Sequence, residues 1–223
     1  MPIASESTNS GSVAAASAAS SSATAAASSC ASRELAATVW AYWGCVGAMI
    51  VRVRRRTRKL SGIVPVQRVE QFMWLIWVPL LAAWMILPYI AAMPVGPPRG
   101  LPDFAREAPV TALRWVAVTV GFACLALSID CWLRMGRNWR MAVTPDQQTD
   151  LVTTGLYGHV RHPIYALSIL LMLCTVAVAP TVPIAVMAVT HVVLMVVKAR
   201  NEERFLSERH GSSYRLYRER TGR

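Results

Sequence analysis

Charged residues are scarce in this sequence. Asp, Glu, Lys and Arg make up 16% of its 223 residues, whereas about 25% is typical of soluble proteins. Acidic residues are the scarcest, with 12 Asp and Glu against 23 Lys and Arg, so the net charge is +11. A basic balance can indicate nucleic-acid binding, but here the basic residues lie at the ends of apolar blocks, where lipid head groups account for them. We therefore expect a membrane protein whose partner is the lipid bilayer, with no nucleic acid.

Cysteine pairs with metal-site spacing are missing. The five cysteines form no C-x-x-C pair, and four of them lie in or beside apolar blocks. This pattern predicts neither a disulfide framework nor a zinc site. We interpret the cysteines as small apolar packing residues and expect no metal.

The N-terminal segment lacks both charge and hydrophobic periodicity. Residues 1–33 are dominated by Ala and Ser, and such a composition predicts disorder because it buries too little apolar surface. A basic start and a bulky apolar run, which a signal peptide requires, are also missing. We expect a disordered leader over residues 1–33 and a membrane domain over residues 34–223.

Apolar blocks supply the fold prediction. A transmembrane helix needs about 20 apolar residues, with a range of about 17–25. The last two blocks are short and are joined by Pro180-Thr181-Val182-Pro183, which predicts one tight helical hairpin followed by a charged helical tail that ends near Gly211. The expected fold is all-α, with about five transmembrane helices. The blocks cover residues 35–51, 72–93, 110–133, 164–179 and 182–197.

The distribution of Lys and Arg predicts the orientation. Residues 52–68, 134–161 and 198–223 contain 7, 4 and 8 basic residues, and five spans place these three segments on one side. The N-terminal segment and residues 94–114 contain only 1 and 3. Because cytoplasmic loops carry the excess of Lys and Arg, we expect the N-terminus outside and the C-terminus in the cytoplasm. The high Ala and Arg content suggests a bacterial inner membrane.

Polar motifs flank the predicted hairpin. Residues 151–165 read Leu-Val-Thr-Thr-Gly-Leu-Tyr-Gly-His-Val-Arg-His-Pro-Ile-Tyr, and residues 198–206 read Lys-Ala-Arg-Asn-Glu-Glu-Arg-Phe-Leu. Since a hairpin brings its own ends together, the Arg161-His162-Pro163 and Asn201-Glu202-Glu203 elements should be neighbours. Proline is well tolerated at the first position of a helix, so Pro163 is expected to begin the fourth helix.

These motifs, with Gly136-Arg137-Asn138-Trp139 upstream, resemble the isoprenylcysteine carboxyl methyltransferase family, to which phospholipid methyltransferases are related. The resemblance covers roughly residues 125–220, and Leu156 stands where many relatives have Pro. It implies an integral membrane methyltransferase that uses S-adenosylmethionine and a lipophilic or small acceptor. By position it implies catalytic roles for Arg161, His162 and Glu203. The implied cofactor-binding residues are Tyr157, His162, Pro163, Tyr165, Glu202 and Glu203, with Tyr214 and Tyr217 as weaker candidates.

The expected roles follow from the charges of the cofactor. A glutamate suits its amino group, and the Arg161 guanidinium matches a carboxylate in a two-bond fork. Adjacent helical residues point about 100° apart, so we expect one of Glu202 and Glu203 in the pocket and the other paired with Arg161 or Arg204. His162 or a glutamate would act as a base only for an acceptor that must lose a proton.

Several alternatives stay open at this point. A membrane reductase of similar helical arrangement would use NADPH instead, and a non-enzymatic membrane scaffold or sensor would use neither cofactor. His191, inside the fifth block, is either functional or a neutral histidine hydrogen-bonded to a neighbouring helix. The methyl acceptor could be an isoprenylcysteine, a phospholipid amine, a small thiol or another lipophilic carboxylate, and the oligomeric state is unassigned.

Overall fold

The chain folds into a bundle of long helices. The computed structural model describes residues 7–57, 65, 67–93, 101–141 and 150–222. Residues 1–6, 58–64, 66, 94–100, 142–149 and 223 lie outside the described residues. The all-α prediction is confirmed over the part that is described. The helices are α1 (Ser7–Thr57), α2 (Arg68–Ala92), α3 (Ala108–Met135), α4 (Pro163–Val178) and α5 (Val182–Arg220), with short 3-10 helices at Asp103–Arg106, Gly136–Asn138 and Gly155–Gly158.

Four of the helices, α1, α2, α3 and α5, are long and apolar enough to cross a membrane. The multi-pass prediction is thereby confirmed. Helix α4 is apolar but has only 16 residues, which span about 24 Å, less than the roughly 30 Å of a hydrocarbon core. The predicted count of five spans is therefore not confirmed by helix length.

The Ala/Ser-rich leader is helical where disorder was predicted. From Ser7 onward it forms the first half of α1, which continues without a break to Thr57. Alanine has the highest helix propensity of all residues, and the serines find partners in the bundle. Ser28 and Ser32 are buried, and the Ser29 hydroxyl donates to the Ala92 carbonyl at 3.2 Å. These docked serines lie in the last part of the leader, whereas residues 15–20 are exposed. The assignment of residues 34–223 to one domain stays a prediction.

A buried arginine joins four elements at the end of the bundle opposite the motifs. Arg114 of α3 is fully buried. Its Nε donates to the Val178 carbonyl at 2.7 Å, and a terminal nitrogen donates to the Ala105 carbonyl at 3.2 Å. The other terminal nitrogen donates to the Ser28 carbonyl and the Ser32 hydroxyl, both at 2.7 Å. Carbonyl oxygens of three elements and one hydroxyl thus solvate the buried cation, and α1 is held against α3 and α4.

The predicted hairpin is present. Helix α4 ends at Val178 and α5 begins at Val182, so the two helices run antiparallel through a three-residue connection. The tail helix is interrupted at the predicted position, Gly211, where the backbone is non-helical, with φ 52° and ψ −118°, and a second helical stretch continues to Arg220. Glycine adopts a positive φ without a Cβ clash, so the helix changes direction there and resumes.

Replacing Arg114 tests how strongly the leader depends on this cluster. Arg114→Met would remove the hydrogen bonds that Arg114 donates to the carbonyls of Val178, Ala105 and Ser28, and hydrogen bonds to a charged group contribute about 1.5–3 kcal/mol each. We expect a clear drop in the thermal unfolding midpoint of the detergent-solubilised protein. Arg33→Met, at an exposed position of α1, should leave the midpoint unchanged. Equal midpoints for the two variants would contradict the assigned role.

Candidate functional site

The two ends of the hairpin meet in one charged cluster. Arg161, just before α4, donates from Nε to Glu203 Oε1 of α5 at 3.2 Å, and both side chains are only 12% exposed. Tyr165, in the first turn of α4, donates its hydroxyl proton to Glu202. The predicted proximity of the Arg-His-Pro and Asn-Glu-Glu elements is therefore confirmed. Pro163 occupies the first position of α4, as expected.

His162 lies between the two glutamates. Its Nδ1 is 3.8 Å from Glu202 Oε2, and its Nε2 is 3.4 Å from Glu203 Oε1 without hydrogen-bond alignment. Its ring stacks on Tyr165, with centroids 5.5 Å apart and planes 9° apart. Burial lowers the pKa of His162, and the neighbouring glutamates oppose this shift only in part. The imidazole is therefore neutral at physiological pH.

The C-terminal tail folds back over the motif. Arg161 donates to the Arg218 carbonyl at 3.2 Å and to the Thr221 carbonyl at 2.7 Å. Its backbone N–H also donates to the Gly222 carbonyl at 2.9 Å. The Tyr217 hydroxyl donates to the Tyr157 carbonyl at 2.6 Å. Through these contacts Arg161 holds Glu203 and the tail in one arrangement.

Helix α2 contributes a carboxylate that the motif did not indicate. Glu70 is buried and lies 4.0 Å from Lys198 Nζ and 3.4 Å from Asn201 Nδ2. Asn201 also donates to Gln67 at 3.0 Å. The Lys198 ammonium in turn donates to the Met141 carbonyl at 2.7 Å and lies 3.9 Å from Glu202. A lone glutamate beside an apolar block gives no signal in one sequence, so Glu70 was missed.

A cavity of about 240 Å³ opens beside this cluster. Glu202 lines the cavity, whereas Glu203 faces Arg161, which matches the expectation that only one glutamate is in the pocket. The lining residues that α1, α2 and α3 contribute are, apart from Glu70, aromatic or apolar. The charged or polar lining residues include Glu70, Arg161, His162, Tyr165, Lys198 and Glu202, and the aromatic ones include Tyr42, Trp43, Trp74, Trp77 and Trp132.

The predicted site residues are all placed at or next to this cavity. Tyr157, Arg161, His162, Pro163, Tyr165 and Glu202 line it, as do the tail residues Tyr214 and Tyr217. Tyr157 is buried, and burial raises the pKa of its hydroxyl well above the ordinary value. Tyr157 therefore stays protonated. The chemical roles expected of these residues, including those of Arg161, His162 and Glu203 in catalysis, stay predictions.

Residues 115–208 match the sequence model of the isoprenylcysteine carboxyl methyltransferase (ICMT) family. The matched region runs from the third turn of α3 into the tail part of α5, so it contains both halves of the motif. The resemblance drawn from the motifs is thereby confirmed for this region. Helices α1 and α2 lie before the matched region in the sequence. They carry Glu70 and several of the aromatic residues that line the cavity. No curated protein and no solved structure matches the chain.

The lowered pKa of His162 predicts a pH dependence of stability. In the unfolded chain a histidine takes up a proton near pH 6.5, whereas in the folded protein burial holds His162 neutral to lower pH. The unfolded state then binds more protons, so the His162 contribution destabilises the fold as pH falls below about 6.5. His162→Gln should reduce the drop in thermal midpoint between about pH 7 and pH 5. His159→Gln, at an exposed imidazole, should not, and an unchanged drop in His162→Gln would contradict the prediction.

Proposed function

We propose that this chain is an integral membrane methyltransferase that uses S-adenosylmethionine and methylates a lipophilic acceptor reached from the bilayer. The observation that carries the proposal is the meeting of the Arg-His-Pro-x-Tyr and Asn-Glu-Glu elements at a cavity that is charged at one end and aromatic at the other. The match of residues 115–208 to the ICMT family supports the same reaction class. The cofactor and the acceptor are parts of the proposal.

The residues at the charged end fit the groups of S-adenosylmethionine. Glu202 lines the cavity at 25% side-chain exposure, so its carboxylate suits the amino group or the ribose hydroxyls. Lys198 supplies a cation beside it at 3.9 Å, which suits a carboxylate. The flat stack of His162 and Tyr165 offers an aromatic surface beside these charges. Arg161 lines the cavity, but it already holds Glu203 and the tail, so we assign it to positioning.

The contribution of the protein to the reaction is alignment in a dry site. When bound, S-adenosylmethionine supplies an electrophilic methyl group on a sulfonium sulfur. The glutamates and Lys198 orient charged groups at one end of the cavity, and the aromatic walls exclude water from the other. Alignment and exclusion of water are the main contributions that a protein makes to such a displacement. A neutral His162 between two carboxylates can accept a proton from an acceptor that carries one.

Cofactor binding tests the proposal directly. Purified protein in detergent should bind S-adenosylmethionine and its demethylated product, S-adenosylhomocysteine, in an equilibrium titration. Glu202→Gln should weaken binding by about tenfold, because a charged hydrogen bond is lost, and His162→Ala should weaken it as well. The matched control is Glu208→Gln, an exposed glutamate on the same helix.

Three outcomes separate the proposal from its alternatives. Folded protein that binds neither S-adenosyl compound would overturn the proposal. Binding of NADPH in their place would support the membrane reductase instead. The third outcome is an equal affinity for the cofactor in all three variants, Glu202→Gln, His162→Ala and the control. It would place the site elsewhere and favour a scaffold that only retains the family fold.

The proposed orientation has the N-terminus outside and the C-terminus in the cytoplasm, in a bacterial inner membrane. It is supported by the excess of Lys and Arg in residues 52–68, 134–161 and 198–223. The carbonyl cluster around Arg114 lies at the opposite end of α4 from the motifs. In this orientation the charged end of the cavity faces the side on which a soluble cofactor is available.

A native cysteine tests this orientation. Cys30 is exposed on α1, whereas Cys45 is half-buried and the other three cysteines are buried. A membrane-impermeant maleimide should label intact cells at Cys30, and Cys30→Ser should abolish that labelling. Labelling that appears only after the cells are opened would reverse the proposed orientation.

A further inference from the structure

Glu70 gives the cavity a carboxylate from outside the family match. It lies in the first turn of α2, lines the cavity and is only 1% exposed. Glutamates are almost never fully buried unless they are paired. Here the Lys198 ammonium lies 4.0 Å from the carboxylate, and the Asn201 side-chain nitrogen lies 3.4 Å from it. The α5 helix thus holds a carboxylate of α2 at the edge of the candidate site.

One lysine serves two carboxylates in this part of the cavity. Lys198 Nζ lies 3.9 Å from Glu202 Oε1 and 4.0 Å from Glu70 Oε1, and it donates to the Met141 carbonyl at 2.7 Å. Tyr165 donates its hydroxyl proton to Glu202, but a neutral donor does not change the charge of the group. Since Lys198 carries a single charge, it offsets only one of the two carboxylates.

The other charged residues around the cavity do not offset the second carboxylate. Glu203 is paired with Arg161, and the lining residues Arg140 and Asp150 carry opposite charges. His162 is neutral, because burial lowers its pKa. Over the described lining residues and Glu203, four carboxylates therefore face three cations, which leaves an excess of one negative charge. The carboxylates are Glu70, Asp150, Glu202 and Glu203, and the cations are Arg140, Arg161 and Lys198.

The arginines outside the cavity have less effect on its interior. Arg200 and Arg204 on α5 and Arg218 in the tail are exposed. Exposed charges act through water and are screened further by salt. A ligand inside the cavity is therefore influenced mainly by the lining residues, and it meets a negative environment.

A second observation shows that the cavity is prepared for a polar ligand. The His162 side chain lines the cavity and is only 8% exposed. Among the described residues, its Nε2 is buried without a hydrogen-bond partner. Buried polar groups in native proteins nearly always have a partner. The cavity therefore suits a ligand that brings both a polar group and a positive charge.

We propose that Glu70 makes the cavity select S-adenosylmethionine over its demethylated product. The inference rests on the proposed function. S-adenosylmethionine has a sulfonium, an ammonium and a carboxylate, so it carries one net positive charge. S-adenosylhomocysteine has a neutral thioether in place of the sulfonium and is neutral overall. Glu70 is then a specificity-determining residue, and its charge keeps the product from competing with fresh cofactor.

The pair of ligands isolates this effect, because both carry the same amino, carboxylate and adenosine groups. The contacts of Lys198 and Glu202 with those groups contribute equally to both affinities. The ratio of the two dissociation constants therefore reports the response of the cavity to the sulfonium. At an effective dielectric constant of about 20, two charges about 10 Å apart change an affinity about tenfold.

The test titrates the full-length protein in detergent with each ligand. Glu70→Gln keeps the size of the side chain and removes its charge, so it should reduce the preference for S-adenosylmethionine about tenfold. Glu70→Asp keeps the charge and should keep most of the preference. Glu208→Gln, at an exposed glutamate of α5, is the matched control and should leave both affinities unchanged.

Lys198→Met tests the sign of the effect. Without the lysine the cavity is more negative, so the preference for S-adenosylmethionine should increase severalfold, even though both ligands lose a contact. Sinefungin, which has an ammonium in place of the sulfonium and no methyl group to transfer, separates charge from methyl contact. Glu70→Gln should weaken the binding of sinefungin together with that of S-adenosylmethionine.

The outcomes distinguish this inference from the proposed function. Equal losses for the charged and the neutral ligands in Glu70→Gln, or an unchanged preference, would overturn the inference and keep the methyltransferase. If Glu70→Gln does not fold, a preference that fails to rise in Lys198→Met overturns the inference instead. Folded wild-type protein that binds none of the three ligands would overturn the proposed function and this inference with it.

Discussion

The ion pair between Arg161 and Glu203 joins the beginning of α4 to the exit of α5, and the rest of the site depends on that junction. Both side chains are largely shielded from water, so removing either one would leave an uncompensated buried charge. The same guanidinium also holds the carbonyls of Arg218 and Thr221. One side chain therefore sets the position of Glu203 and the tail together. The charged end of the cavity is built on this fixed frame.

The cavity combines two environments that one ligand would rarely need together. Its charged part has carboxylates from two helices with a lysine between them. Another part has aromatic side chains, and two of their indole N–H groups have no hydrogen-bond partner among the described residues. A full charge buried in a membrane is expensive, whereas a neutral donor costs less. On this distribution we base the proposal of a polar cofactor that enters from the water and an acceptor that enters from the lipid.

The predictions that depended on residues close together in the sequence were accurate. The apolar runs predicted the helices, and the short connection at Pro180 predicted the hairpin and therefore the meeting of His162 with the two glutamates. Predictions from composition alone did less well. The Ala/Ser-rich leader, which was expected to be disordered, is helical from Ser7. Alanine has a high helix propensity, which a disorder prediction from apolar content does not weigh.

The sequence by itself determined the helices, the hairpin and the charged half of the site, because each of these depends on periodicity or on residues brought together by one short turn. Only the tertiary structure decided how the cavity closes. Glu70 meets Asn201 across 131 residues, and Arg114 meets Ser28 across 86. Trp43 and Trp77 come from helices before the family match. Side chains so far apart in the chain meet only through the packing of α1 and α2 against the hairpin, and no local pattern records that packing.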